Sequence, residues 1–330
     1  MHTLVLTTRG QIYSFGTNDE CTLGRTGQEN VPDLVDLKIP MNGISCGDSH
    51  SIAYNTDLNV IYQWGVYKDK NGSMGQKITS PTLIDITNFR KMKIKKVVSG
   101  DNHTLVLAGG YVYAWGNPES GQIGRKPHGE RYVHQSLMIQ RLGSHPVLDV
   151  FAGKNHNFII CEQVRRTKSK KETRRVLRCW GHNHYGQLGL GHLEQSVFEQ
   201  IENTFFSDKE IKNITGGESF TLVLTSNNEL YGMGRNDDGQ LGFENTQKDN
   251  EGKEIYTYST PVKIETPKLD HVISASNYSY GMDNESNIAY SWGVGQNYVL
   301  GNKSDDDQKT LFKIPTEFFK NKIIGQVIYL

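Results

Sequence analysis

The sequence predicts an all-β protein in which small antiparallel sheets are arranged as the blades of a propeller. A short phrase recurs along the chain: an aromatic residue or methionine, then glycine, then, about eight residues later, an apolar residue with a second glycine. Residues 290–301 (YSWGVGQNYVLG) are one copy. A repeat period near fifty residues is typical of stacked supersecondary units. The six copies place their first glycine, the marker glycine, at Gly16, Gly65, Gly116, Gly181, Gly234 and Gly293.

A second recurring element precedes the phrase and supplies the rest of each sheet. In the third repeat, residues 94–100 (IKKVVSG) are followed by residues 103–107 (HTLVL) and residues 113–116 (YAWG). A glycine turn, a β-branched and apolar run, a polar turn and an aromatic run together predict a β-hairpin. The preceding apolar stretch adds a third strand, so each repeat is expected to form three or four strands and almost no helix.

The aromatic residue of each phrase is expected to be a large buried plug between blades, with the glycine allowing a tight turn beside it. On this interpretation residues 1–330 form a single propeller domain. It holds six such repeats and, at residues 1–11, the tail of another. About one repeat of a complete propeller is missing or incomplete.

Composition excludes several classes of function. The chain has 36 basic and 36 acidic residues, so affinity for nucleic acid or membranes requires local patches. No apolar run approaches the ~20 residues of a membrane span, so no membrane partner is expected. The four cysteines lack C-x-x-C spacing, and no nucleophile elbow, P-loop or H-E-x-x-H motif favours an enzyme.

Histidines recur at one position of the repeat, which suggests either a metal ring or a structural role. The structural role is favoured, because a residue repeated at each strand start satisfies hydrogen bonds to a neighbouring blade more simply. No metal or other cofactor is therefore expected. The residues concerned are His2, His50, His103 and His156.

Strand parity assigns the connections to two ends of each sheet, because consecutive antiparallel strands reverse direction. The glycine turns and the loops after the marker glycine share one end, the glycine-turn end. The hairpin turns lie at the other, the hairpin end, and insertions after the L-G dipeptide are expected there too. The hairpin end would then be basic, because residues 164–178 alone hold eight basic residues.

The pattern W-G-x-N-x-x-G-Q-L-G combined with G-x-x-H resembles the regulator of chromosome condensation family, over essentially the whole chain. The resemblance implies a seven-bladed propeller and a guanine nucleotide exchange factor for the small GTPase Ran. It also implies a nuclear, chromatin-associated protein with roles in nucleocytoplasmic transport and the cell cycle. Such a factor stabilises the nucleotide-free GTPase and performs no covalent chemistry.

The resemblance implies that the GTPase meets the glycine-turn end. There an acidic glycine turn contacts the GTPase, and the loop YKDKNGS at residues 67–73 acts as a wedge at the nucleotide site. In the second glycine turn the family's acid stands where this chain has Asn102, and the acid comes one residue earlier. The expected GTPase-binding residues are Asp48, Tyr67, Lys68, Asp69, Lys70, Asn71, Gly72, Ser73, Asp101, Asn102 and Glu218.

The basic hairpin end is expected to meet histones or nucleosomal DNA, since arginine pairs bidentately with carboxylate and phosphate. The same residues also fit a nuclear-import signal. A propeller that serves only as a binding module or adaptor remains the alternative for the whole chain. The expected chromatin-binding residues are Arg125, Lys126, Arg131, Arg165, Arg166, Lys168, Lys170, Lys171, Arg174 and Arg175.

Overall fold

A computed structural model describes residues 2–89, 91–125, 137–138, 146–166 and 171–315. Among these residues the regular structure is β-sheet, apart from 3₁₀ turns at Thr87–Phe89, Thr204–Phe206 and Gln296–Tyr298. No helix in the described part of the chain is long and apolar enough to cross a membrane. The chain divides into two compact units, one of Met1–Gly181 with Val197–Glu202 and one of His182–Ser196 with Asn203–Tyr329.

The first unit is built on four antiparallel sheets, each formed by consecutive strands. Sheet A has three strands: β1 (His2–Leu6), β2 (Ile12–Gly16) and β3 (Asp33–Leu34). Sheet B has four: β4 (Gly43–Cys46), β5 (His50–Asn55), β6 (Val60–Asp69) and β7 (Gly72–Leu83). Sheet C has four: β8 (Ile94–Ser99), β9 (His103–Ala108), β10 (Tyr111–Gly116) and β11 (Leu137–Met138). Sheet D has four: β12 (Val147–Ala152), β13 (His156–Arg166), β14 (Lys171–His182) and β15 (Ser196–Glu202).

The second unit contains two further four-stranded sheets with the same consecutive order. Sheet E comprises β16 (Ile211–Gly216), β17 (Phe220–Thr225), β18 (Leu230–Arg235) and β19 (Thr257–Ile264). Sheet F comprises β20 (His271–Ala275), β21 (Tyr278–Asp283), β22 (Ile288–Gly293) and β23 (Gln308–Lys313). The predicted all-β class and the predicted three or four strands per repeat are confirmed.

The marker glycine brings the loop after it back to the glycine turn of its own sheet. Gly65 pairs with His50 and has a φ of 89°, in the left-handed region that favours glycine. A Cβ at Gly65 would overlap the carbonyl oxygen of Ser49, which accepts from Val66 N at 2.7 Å. The prediction that glycine turns and post-glycine loops share one end of the sheet is confirmed.

Three of the tryptophans before the marker glycine are buried and donate a hydrogen bond to the loop of the preceding repeat. In the first unit, Trp64 Nε1 donates to the carbonyl of Thr22 at 2.7 Å. In the second unit, Trp292 Nε1 donates to the carbonyl of Gln240 at 3.0 Å. The predicted plug is confirmed for the tryptophans at this position but not for Phe15, which is only half-buried. The tryptophans, none more than 2% exposed, are Trp64, Trp115, Trp180 and Trp292.

The recurring histidines bind neighbouring strands through side-chain hydrogen bonds. His50 Nε2 lies 3.1 Å from Thr104 Oγ1, and His103 Nε2 lies 2.7 Å from Asn157 Oδ1, each partner belonging to the next sheet. Burial lowers the pKa of His50 well below its ordinary value and that of His103 to about 4. Neutral, hydrogen-bonded rings support the structural interpretation of these positions.

The segments after L-G return to the glycine-turn end before the outermost strand begins. Asn183 N donates to Gln195 O at 2.9 Å and Asn236 N to Tyr256 O at 2.8 Å, and each acceptor directly precedes its outermost strand. Because that strand is antiparallel to its neighbour, it starts at the glycine-turn end. The expectation that insertions after L-G lie at the hairpin end is therefore wrong for these sheets.

The buried histidines predict an acid-sensitive fold. A histidine whose pKa is depressed in the folded state stabilises the protein fully above its ordinary pKa of 6.5, and that stability is lost as the pH falls toward 4. We expect the free energy of unfolding, measured with urea, to fall across this window. His103→Gln should flatten the slope by up to about 1.4 kcal/mol per pH unit. His271→Gln, at an exposed position, is the control, and equal slopes in His103→Gln and the unsubstituted protein would contradict the expectation.

Candidate functional site

Residues 67–73, expected as a loop, form the tip of a β-hairpin at the glycine-turn end of sheet B. Strand β6 continues past Gly65 to Asp69, which pairs with Gly72 at the start of β7, and Lys68 pairs with Ser73. In the other described sheets the corresponding strand ends at the marker glycine or one residue later. Sheet B therefore projects a two-stranded arm, called here the wedge hairpin (residues 66–74).

The tip of the wedge hairpin is exposed and polar. Lys70, Asn71, Gly72 and Ser73 are all exposed. Asp69 Oδ1 accepts from the backbone N–H of Asn71 at 2.7 Å, which fixes the tight turn. The tip therefore presents one lysine and small polar groups to a partner.

Tyr67 lies in the core beneath the hairpin. Its side chain is 0% exposed, its ring is 4.2 Å from that of His50, and burial raises its pKa. Its hydroxyl donates to Gln63 Oε1 at 3.0 Å and lies 2.9 Å from Thr104 Oγ1. Direct contact with a GTPase is wrong for this side chain, because burial leaves it no surface to offer.

Lys68 holds the hairpin to the loop of sheet A. Its Nζ lies 3.1 Å from one carboxylate oxygen of Glu20, and Lys77 Nζ lies 2.9 Å from the other. Hydrogen bonds from Lys77 and then Lys68 lower the pKa of Glu20. The lysine that stands where the family commonly has arginine is thus engaged within the protein.

Sheet C holds the other side of the hairpin. Asn102 Oδ1 accepts from Lys68 N at 2.7 Å, and Asn117 Nδ2 donates to Lys68 O at 3.0 Å. The carboxylate of Glu119 accepts from Lys70 N at 3.2 Å. Asn102, expected as a GTPase contact, therefore has its carbonyl oxygen committed to the hairpin. Sequence reasoning missed Glu20, Asn117 and Glu119, although the asparagine of the W-G-N-P segment departs from the repeat by one position and is a visible signal.

The acidic glycine turns are linked through their backbones. Asp48 N donates to Asp101 O at 2.9 Å, and Asp101 N donates to Lys154 O at 2.9 Å. The side chain of Asp48 is exposed and accepts from Ser49 Oγ at 2.9 Å, whereas Asp101 Oδ2 lies 3.6 Å from Lys154 Nζ. The structure thus brings Asp48, Asp101 and the wedge hairpin together in the first unit.

Glu218 belongs to the second unit. It occupies the equivalent place in the glycine turn of sheet E, its side chain is exposed, and its backbone N–H donates to Ser276 O at 2.8 Å. The same backbone link therefore recurs there with a glutamate on its surface.

The basic hairpin of residues 164–178 extends sheet D at its hairpin end. The pairing of β13 with β14 continues to Arg166 and Lys171, which makes this hairpin five residue pairs longer than the matching hairpin β9–β10. Arg174 and Arg175 are exposed, and Arg174 Nη2 lies 2.9 Å from Glu202 Oε1. The hairpin is thus a basic extension with some acidic neighbours.

The remaining members of the basic set belong to strands β13 and β14, to the residues between these strands and to the segment after Gly124. The backbones of Arg165 and Arg166 lie at the end of β13, and that of Lys171 lies at the start of β14. Arg125 follows Gly124, whose carbonyl accepts from Gln200 Nε2 at 3.3 Å within β15, and its assignment to the hairpin end stays a prediction. The residues that lie outside the described part of the chain are Lys126, Arg131, Lys168 and Lys170.

Known proteins share this architecture. A family model described as the RCC1-like domain matches residues 1–328. The regulator of chromosome condensation of Homo sapiens is 29% identical over 348 residues, which cover 99% of this chain and 78% of the human protein. The guanine nucleotide exchange factor SRM1 of Saccharomyces cerevisiae is 29% identical over 91% of this chain and 69% of that protein.

A solved structure has the same fold. Prp20p of Saccharomyces cerevisiae superposes with a TM-score of 0.83 at 26% identity, covering 96% of this chain and 75% of that one. Prp20p has reported binding properties toward Gsp1p and histones. The predicted fold class, a β-propeller of the regulator of chromosome condensation type, is confirmed, and the six sheets are its blades.

The contrast between Tyr67 and Asp48 predicts different effects on stability. Tyr67→Phe should lower the free energy of unfolding by about 1 kcal/mol, because it removes a buried hydroxyl with two partners. Asp48→Ala should change it by less than about 0.5 kcal/mol, because the side chain is exposed. Urea unfolding of both variants measures the difference. A decrease in Asp48→Ala equal to that in Tyr67→Phe would identify Asp48 as a turn-stabilising residue.

Proposed function

The chain belongs to the RCC1-like domain family, and on that premise we propose that it is a guanine nucleotide exchange factor for a Ran-like small GTPase. A yeast relative bears that activity in its name, and Prp20p is described with binding properties to Gsp1p. The proposal concerns binding and release, and it assigns no covalent chemistry to the chain.

The observation that carries the proposal is the wedge hairpin itself. It is an exposed, two-stranded projection whose base is held from both sides, by Glu20 of the sheet A loop and by Asn102 of sheet C. The exposed carboxylate of Asp48 lies in the glycine turn that contacts the base of the same strand, through the bond from Val66 N to Ser49 O. A projecting hairpin beside an exposed carboxylate suits a partner that must be bound and also changed in conformation.

The proposed mechanism is differential binding. A factor that binds the nucleotide-free GTPase more tightly than the loaded form accelerates release by lowering the barrier between the two bound states. Residues Lys70–Ser73 would occupy the space of the GTPase loops that hold phosphate and Mg²⁺. Asp48 and Asp101 would pair with basic groups of the GTPase, as charge-assisted hydrogen bonds do at interfaces.

Asp48→Ala tests this proposal in a fluorescent-nucleotide release assay with a Ran-family GTPase. The variant should slow release by about tenfold or more, since removing an interfacial charge-assisted hydrogen bond costs above ~1.4 kcal/mol. Asp57→Ala is the matched control, because Asp57 is an exposed aspartate at the hairpin end of the same sheet. Equal rates in the two variants would remove Asp48 from the interface. No acceleration by the unsubstituted protein would favour a binding module or adaptor.

We propose further that the protein is nuclear and that its basic hairpin binds the nucleosome, through the acidic histone surface or DNA phosphates. Support comes from the extension of β13 and β14, the exposed Arg174 and Arg175, and the binding of Prp20p to histones. A protein with no net charge meets polyanions through such a local concentration of arginine and lysine.

Replacing Arg165, Arg166, Lys170 and Lys171 with serine should weaken nucleosome binding and flatten its salt dependence. The slope of log affinity against log salt should drop by about one unit for each DNA phosphate that the variant no longer neutralises. Titration of nucleosomes at several salt concentrations measures it, and nucleotide release from the free GTPase, expected unchanged, is the internal control. Unaltered nucleosome binding would leave these residues to the import-signal alternative.

A further inference from the structure

In three of the six described sheets the loop after the marker glycine closes on itself through one asparagine. This asparagine stands two residues after the marker glycine, and its Oδ1 accepts the backbone N–H five residues further along. The bond fixes the loop that carries the buried leucine of the repeat. The three examples are Asn18 with Leu23 at 2.9 Å, Asn183 with Leu188 at 3.0 Å and Asn236 with Leu241 at 2.8 Å.

The loop of sheet C breaks this rule. The position two residues after Gly116 is Pro118, and the asparagine stands one residue earlier, at Asn117. Its Nδ2 donates to Lys68 O in the wedge hairpin, and its Oδ1 accepts from Glu119 N at 2.7 Å. Asn117 is only 8% exposed. An amide that closes its own loop elsewhere is here directed at the neighbouring sheet.

The hairpin needs such support, because it has only two strands. A two-stranded hairpin is marginally stable in water, and its outer edges carry unpaired backbone groups. Sheet C supplies partners along the β6 side: Asn102 for Lys68 N, Asn117 for Lys68 O and Glu119 for Lys70 N. These three side chains take the place of a third strand.

We propose that Asn117, assisted by Glu119, is a positioning residue that holds the wedge hairpin upright for nucleotide displacement. This inference rests on the proposed exchange function. A hairpin can displace loops of a partner only if it keeps its own orientation while the partner's loops move. Loosening the base should leave the partner bound while lowering the rate at which nucleotide leaves.

Two variants separate the donor from the acceptor of Asn117. Asn117→Ala removes both groups, and Asn117→Asp keeps an acceptor for Glu119 N but places a carboxylate against the carbonyl of Lys68. Both should therefore behave alike. Asn236→Ala is the matched control, because Asn236 closes its own loop in the second unit and touches no residue of the wedge hairpin by any described hydrogen bond.

The first measurement is amide hydrogen exchange of residues 68–73 in the free protein, by mass spectrometry. Both Asn117 variants should exchange about three- to tenfold faster there, as expected for loss of a hydrogen bond, and Asn236→Ala should not. The second is nucleotide release from a Ran-family GTPase over a range of factor concentrations. The maximal rate should fall about three- to tenfold, while the half-saturating concentration stays unchanged.

The outcomes distinguish this inference from the function on which it rests. Unchanged hairpin protection, or faster hairpin exchange with an unchanged maximal rate, overturns the positioning role while leaving exchange activity intact. A raised half-saturating concentration at constant maximal rate would instead make Asn117 a binding residue. If the unsubstituted protein releases no nucleotide, the proposed function fails, and the hydrogen-exchange comparison alone then decides whether Asn117 holds the hairpin.

Discussion

One backbone carbonyl in the loop of each typical repeat joins that repeat to the next sheet. The carbonyl of Gln122 accepts both Trp180 Nε1 at 3.1 Å and Asn157 Nδ2 at 2.8 Å. In the second unit the carbonyl of Gln187 accepts Thr221 Oγ1 at 2.8 Å. A buried indole N–H without an acceptor costs roughly 1–3 kcal/mol, so a loop that supplies the acceptor is not free to move or to change its shape. This constraint explains why the repeat keeps its W-G and G-Q-L-G phrases together.

Sheet B satisfies the same constraint without that loop. Trp115 Nε1 donates to the side-chain oxygen of Gln63 at 2.8 Å, and the hydroxyl of Tyr67 lies 2.9 Å from Thr104 Oγ1. Two side chains on β6, those of Gln63 and Tyr67, thus replace the missing carbonyl. Met74 stands where the other repeats have a buried apolar residue before the second glycine, and it is only half-buried. Beyond the buried Val66 and Tyr67, residues 68–73 are not packed between sheets and project as the tip of the wedge hairpin. The projecting hairpin and the buried Gln63–Tyr67 pair therefore occur together, because the two side chains supply the hydrogen bonds that a loop supplies in the other repeats.

The fold could be predicted from periodicity, because the repeated spacing of glycine, β-branched and aromatic residues states the strand order of every sheet. The place of the wedge hairpin was also visible, since its loop is longer than the others. The burial of Tyr67 could not be predicted, because a tyrosine beside charged residues, in a segment that departs from the repeat, gives no sign that its hydroxyl takes the place of a loop carbonyl. The role of Asn117 needed the hydrogen bond to a residue 49 positions away, although its shift by one place could be read in the sequence. The path of segments after L-G was predicted wrongly because strand parity does not reveal that a loop descends halfway and returns.

The glycine turns show why the sequence locates a binding end more reliably than it names a partner. At three of the described turns the backbone N–H after the glycine is used by the fold: Asp48 N donates to Asp101 O, Asp101 N to Lys154 O, and Glu218 N to Ser276 O. The side chain at that position has no part in this bond, so aspartate, lysine or glutamate can stand there without altering the backbone. The fold therefore holds the position constant while its charge varies from sheet to sheet. On the proposed function, the surface that a partner would contact at the glycine-turn end consists of side chains that take no part in these backbone bonds. The wedge hairpin adds to it a two-stranded projection that the corresponding strands of the other described sheets lack.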